Sequence, residues 1–187
     1  MNLLISNDGF LYATGISHSD TDIATPGAYQ STNTSINGSA SMIIKFDLSG
    51  QRIWGTYIAN DSYMFYAKLK GDNLYFSGPS FTLTGIATPG TYMENYQTAA
   101  PNSYLTGLEI GYVMSFNVQT QQKNWGTYYQ ERINSIGVNQ NEEVYFSGDT
   151  RQANGIATPD AYIPNINSTA PKCYLIKMNS SGQRFVS

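Results

Sequence analysis

The chain has 187 residues, about one domain's worth, and its ten Lys and Arg against thirteen Asp and Glu leave a net charge of −3. Charged residues make up only 12%, about half the usual ~25%, which excludes a basic nucleic-acid surface and a charge-driven disordered chain, while no apolar run approaches the ~18 residues a spanning helix needs. One cysteine, Cys173, excludes an internal disulfide framework and a multi-cysteine metal site, and one histidine, His18, removes most schemes built on imidazole.

In chain order, an apolar stretch (Leu3-Leu4-Ile5) precedes the turn residues Asn7-Asp8-Gly9 and a short strand, Leu11-Tyr12-Ala13-Thr14-Gly15. The phrase Ile23-Ala24-Thr25-Pro26-Gly27-Ala28-Tyr29 follows, then a variable polar stretch, then Met42-Ile43-Ile44-Lys45-Phe46 and Trp54-Gly55-Thr56-Tyr57. The series recurs. Residues 86–92 and 156–162 repeat the phrase at offsets of 63 and 70, each with one change. Leu74-Tyr75-Phe76-Ser77-Gly78 and Val144-Tyr145-Phe146-Ser147-Gly148 repeat the strand that precedes it. Tyr112–Phe116 and Tyr174–Met178 repeat the strand that follows it, and Trp125-Gly126-Thr127-Tyr128 repeats the last segment. In the third copy Val186 stands at the Trp position.

Tyr and Thr favour strands, and Gly, Asn and Ser favour turns. No stretch of ten residues carries a 3.6-residue apolar period, so the fold class is all-β. Each repeat offers four short strands, the first full set at about 41–47, 52–58, 63–69 and 73–78 on this spacing. Short polar connections read as hairpins, giving an antiparallel meander. Four-stranded units repeated at ~40–70 residues mark a β-propeller, whose stacked blades bury both faces of each sheet. On this reading the phrase-bearing loops join the last strand of one blade to the first of the next. The chain then opens on a third strand and holds about three blades of an incomplete ring, as one domain with repeats near 1–70, 71–140 and 141–187. Further blades of the same propeller are expected, because closed rings have 4–8. The end faces of such a segment, with Leu3, Ile5, Leu175 and Phe185, are expected to be covered in a complete ring.

The repeat resembles the bacterial SBBP, or seven-bladed, β-propeller repeat family. The resemblance is carried by Asp8–Gly15, Thr25-Pro26-Gly27-Ala28-Tyr29-Gln30, Ile43-Ile44-Lys45-Phe46 and Trp54-Gly55-Thr56-Tyr57-Ile58, in order, over essentially the whole chain. Ser115 replaces the Lys in the second copy, whose long loop is also longer. The resemblance implies a secreted or cell-surface protein of Bacteroidetes-type bacteria, and no defined activity.

Trp54 and Trp125 loosely resemble the docking tryptophans of quinoprotein propellers, but no Ca²⁺-ligand set accompanies them, and they read as filling the space between blades. Asp20 and Asp22 form the only tight acidic pair and read as turn residues rather than a Ca²⁺ site. His18 lies between Ser17 and Ser19 without a nucleophile elbow. Cys173 reads as a small buried residue at the start of an innermost strand. Pro26, Tyr29, Pro89, Tyr92, Pro159 and Tyr162 of the repeated phrase read as structural, pinning each long loop to its blade. The variable stretches 31–39, 94–110 and 163–171 are Asn, Ser, Thr and Tyr-rich. They are the natural place for recognition on a rigid scaffold, with Tyr96 and Tyr104 as the contact residues. No catalytic residue, metal or cofactor is assigned.

The expectation is a non-enzymatic, extracellular interaction or adhesion scaffold for a protein or polysaccharide ligand. A polysaccharide-binding module, or a segment of a quinoprotein-like or glycan-active propeller enzyme, are the alternatives. Nucleic-acid partners and a membrane-spanning segment are not expected.

Overall fold

In the computed structural model, described for residues 1–96, 110–152, 155–165 and 170–185, the chain forms eleven strands and, among the described residues, no helix. Sheet 1 is β1 (Asn2–Ile5), β2 (Leu11–Ser17), β3 (Ala40–Phe46) and β4 (Arg52–Asn60) in that order. Sheet 2 is β5 (Tyr66–Lys70), β6 (Asn73–Ser80), β7 (Ile110–Asn117) and β8 (Gln122–Tyr129). Sheet 3 is β9 (Arg132–Val138), β10 (Val144–Thr150) and β11 (Lys172–Met178), followed by an isolated pairing of Met178 with Arg184. Every pairing is antiparallel between chain neighbours.

The turns explain why the third strand of each sheet ends where it does. The side-chain oxygen of Asp47 accepts N–H bonds from Ser49 (2.9 Å) and Gln51 (2.9 Å). Asn117 does the same for Gln119 and Thr120, and Asn179 for Ser181 and Gln183. These are turns built by a side chain that mimics the backbone.

The sheet boundaries correct the expected ones. The set placed near 41–47, 52–58, 63–69 and 73–78 is not one unit: β3 and β4 belong to sheet 1, β5 and β6 to sheet 2. The chain therefore begins on a first strand, and each phrase-bearing loop (18–39, 81–109, 151–171) links the second and third strands of one sheet. A short connection is no proof of a hairpin. Only residues 130 and 131 separate β8 from β9, yet the two strands lie in different sheets.

Layering supplies the reason. Sheet 2 alternates its side chains between two cores, as strands buried on both faces must. Leu74, Phe76, Tyr112, Met114 and Phe116 pack with Tyr12, Ile43 and Trp54 of sheet 1. Tyr75, Val113, Trp125 and Tyr129 pack with Phe146, Tyr174, Ile176 and Met178 of sheet 3. Equivalent positions of the repeat thus meet in both interfaces. The first strands approach one another, β1 against β5 and β5 against β9. No sheet closes on itself.

Candidate binding surface

The repeated phrase docks on the fourth strand of its own sheet. In the first copy the Thr25 N–H donates to the Gly55 carbonyl (3.0 Å), and the Gly55 N–H donates to the Thr25 hydroxyl (3.3 Å). The second copy repeats the pair, with Thr88 N–H to the Gly126 carbonyl (2.9 Å) and Gly126 N–H to the Thr88 hydroxyl (3.3 Å). The Thr of each Trp-Gly-Thr-Tyr segment answers in kind. The Thr56 hydroxyl accepts the Gln30 N–H (3.0 Å) and the Thr127 hydroxyl accepts the Met93 N–H (2.8 Å). Glycine is required at 55 and 126, because a β-carbon there would collide with the carbonyl oxygen of Ile23 or Ile86. Pro26 and Pro89 follow directly on the threonines that make these bonds.

The tyrosine that ends each phrase reaches the next sheet. The Tyr29 ring stands edge-on to Phe116 of sheet 2 at 5.7 Å. The Tyr92 ring lies 6.0 Å from Tyr129 and 5.6 Å from the Arg184 guanidinium, and its N–H donates to the Gly182 carbonyl (3.0 Å). Tyr162, the third member, is 100% exposed. Pro159 lies in the turn just before it.

The same asymmetry runs across sheet 3. Tyr75 and Val113 of sheet 2 are sealed under sheet 3, at 1% and 0% exposure, whereas Leu175, the counterpart of Val113, is 70% exposed. Cys173 sits on that uncovered face of β11. Expected buried in an innermost strand, it is exposed on the third strand of its sheet, with its thiol 3.8 Å from an Asp149 carboxylate oxygen. Its counterparts Ser41 and Gly111 are buried. Leu3 and Ile5 are exposed at the opposite end of the stack, and Phe185 is half-buried, its ring 4.3 Å beneath the Lys177 ammonium. Lys177 also pairs with Glu143 at 2.7 Å, a contact that raises the lysine pKa and lowers that of the glutamate.

A groove of about 770 Å³ runs along β11, walled on its far side by the third copy of the phrase (Ile156, Ala157, Thr158) and by Tyr162. Tyr145 and Leu175 lie on its floor, and Arg184 and Phe185 close one end.

Trp54 and Trp125 occupy equivalent places. Trp54 lies 6.1 Å from Tyr12 and Trp125 6.4 Å from Tyr75, at interplanar angles of 59° and 57°. Both are buried between neighbouring sheets. Tyr96, expected as a ligand contact, is instead part of the core between sheets 1 and 2, its ring 6.4 Å from Tyr128. Its loop position hid this, because the ring folds back onto β8. Tyr104 lies outside the described residues. His18, Asp20 and Asp22 are exposed or half-buried loop residues, and the Thr21 hydroxyl donates to Asp22 (3.1 Å). Among the described residues no group of three His, Cys, Asp or Glu side chains could hold a metal ion, and no helix is long and apolar enough to cross a membrane.

Sequence reasoning missed Ile36. It is 94% exposed at the tip of the first variable stretch, yet its backbone is held firmly. The Asp61 carboxylate accepts the N–H groups of Ile36 (3.1 Å) and Asn37 (2.8 Å), and the Asn60 amide donates to the Thr34 hydroxyl (2.6 Å). An apolar side chain displayed on a rigid polar loop is a contact residue in form. The signal was faint in the sequence, since Asp61 lies 25 residues away.

No family model matches the chain, and no curated protein matches it. The likeness to the SBBP repeat therefore rests on the motif residues alone.

Proposed function

We propose that this chain is a run of blades of a β-propeller, of the SBBP-repeat kind, serving outside the bacterial cell as a non-catalytic scaffold that binds a protein or polysaccharide. One observation carries the reading. Tyr29 and Tyr92 each bridge to the following sheet, and Tyr162, in the same place, is fully exposed beside Leu175. A repeat that joins each sheet to the next in one way, and then presents the same joining residues uncovered, is built to carry another sheet there. Stacked sheets whose faces are consumed by neighbours leave their loops for recognition. Here those loops are Asn, Ser and Thr-rich, with Ile36 displayed at one tip.

The test is an array of bacterial and host polysaccharides and matrix proteins probed with the purified chain. The expected result is saturable binding to a limited set, weakened by Ile36→Asp, with every bound glycan recovered unchanged. Turnover of an arrayed substrate, or no binding across the array, rejects the scaffold reading.

A further inference from the structure

The groove along β11 occupies the place that sheets 1 and 2 fill with their own fourth strand. In sheet 1, β4 lies between β3 on one side and the docked phrase on the other: Ile43 pairs with Thr56 and Ile44 with Gly55, while Thr25 holds Gly55 from the far side. In sheet 2, β8 is held in the same way between β7 and Thr88. In sheet 3 the described chain starts this strand, Phe185 N–H donating to the Lys177 carbonyl (3.1 Å), and the groove continues beyond it along residues 172–177. The floor is also that of a fourth-strand slot. Tyr145 corresponds to Tyr12 and Tyr75, the rings on which Trp54 and Trp125 rest.

We infer that this groove is a strand-acceptor site: an extended peptide of the pattern Trp-Gly-Thr-Tyr-apolar, supplied in trans, pairs antiparallel with β11 and lies under the third copy of the phrase. Backbone pairing at an exposed edge supplies affinity, and side-chain pockets at alternate positions supply selectivity. Selectivity follows from the wall. Where the slot is filled, the carbonyl of Ile23 or Ile86 leaves no room for a β-carbon on the second residue of the pattern, and Ile156 is their counterpart. The first residue must be large and flat, since it stacks on Tyr145. The third carries the hydroxyl that Gln30 and Met93 N–H groups seek in the filled copies. The edge of β11 and the open face of sheet 3 are separate surfaces, so this inference stands or falls apart from the stacking of another sheet.

The experiment uses the full chain and a fluorescent heptapeptide with the sequence of residues 54–60. Anisotropy titration is run beside the same peptide carrying Gly→Val at its second position, and beside a scrambled peptide. Hydrogen exchange of the chain is followed with and without peptide. The expected result is saturable binding, at least tenfold weaker for the Gly→Val peptide, with slowed exchange confined to β11 and residues 156–163. Equal binding of the three peptides, no binding, or protection elsewhere in the chain would overturn the inference. Because only the peptide is varied, the folding of the chain does not enter the comparison.

Discussion

The carbonyl oxygen of Ile86 occupies the space that a side chain on Gly126 would need, while the Gly126 carbonyl accepts the Thr88 N–H at 2.9 Å. Two segments of the repeat, the Ile-Ala-Thr-Pro phrase and the Trp-Gly-Thr-Tyr strand, are thus two halves of one contact. Gly126→Ala forces backbone against backbone, which cannot relax as a side chain does. We expect a loss of about 3 kcal/mol, the upper end for overpacking. Gly137→Ala is the control, because nothing lies within 4 Å of the added carbon and its backbone is not left-handed. Urea unfolding of the two variants should separate them clearly; equal midpoints would refute the contact.

Trp54 and Trp125 should matter equally, each closing the interface of its sheet with the next. Replacement by Ala is expected to cost ~3–5 kcal/mol, as for other buried aromatics. A thermal melt unchanged in either variant would show that the ring is not packed as described.

Alkaline pH should unfold the protein over a defined window. Burial, with smaller contributions from Asp8 and Asp72, pushes the Tyr12 hydroxyl from 10.0 up to about 12. Burial pushes Tyr128 up to about 12 as well, and raises Tyr75, Tyr112, Tyr129 and Tyr174 further. A raised folded pKa means that the unfolded chain releases its proton first. The stability is intact below pH 10 and falls as the pH climbs from 10 toward 12 and beyond. Tyrosinate absorbance and denaturant midpoints followed together should fall into step above pH 10; free titration of all fifteen tyrosines near 10 would contradict the burial.

The uncovered faces should drive association. Leu175 on sheet 3 and Leu3 and Ile5 on sheet 1 are exposed aliphatic residues at opposite ends of the stack. A contact between unlike faces does not close on itself and grows with concentration. Light scattering after size exclusion should show mass rising with loading, and Leu175→Lys should suppress the rise. A mass near 20.6 kDa at every concentration would mean that these faces are not interfaces.

Asp61 should set the order of the 31–39 loop. Its carboxylate holds two loop N–H groups and its own backbone is left-handed, at φ 48°, where Asp and Asn are tolerated. Asp61→Ala is expected to cost about 1.5–3 kcal/mol, the range for hydrogen bonds to a charged group. It should also speed exchange at the Ile36 and Asn37 amides. Unaltered exchange there would remove the loop's claim to rigidity.

Much of the local structure was legible. Tyr and Thr runs became strands, Asp47, Asn117 and Asn179 became turns, and no described residue is helical. The tryptophans were readable as filling, because their repeat positions coincided. Tyr96 was misread because loop membership says nothing of where a ring folds back. Cys173 was misread because burial was assigned by alignment with Ser41 and Gly111, whose face is covered while that of β11 is open.

The sequence by itself determined which residues are strands, which are turns, and that the pattern repeats, because propensity and period act over a few neighbouring residues. It did not determine which strands share a sheet. β4 and β5 are five residues apart yet separated by a core, while β2 and β3 pair across the loop 18–39. Closing a longer loop costs only about 0.6 kcal/mol per doubling of its length, too little to hold partners to the nearest strand. The tertiary structure decided the pairing, because burying Tyr12, Ile43 and Trp54 against sheet 2 requires β4 to end one layer and β5 to begin another.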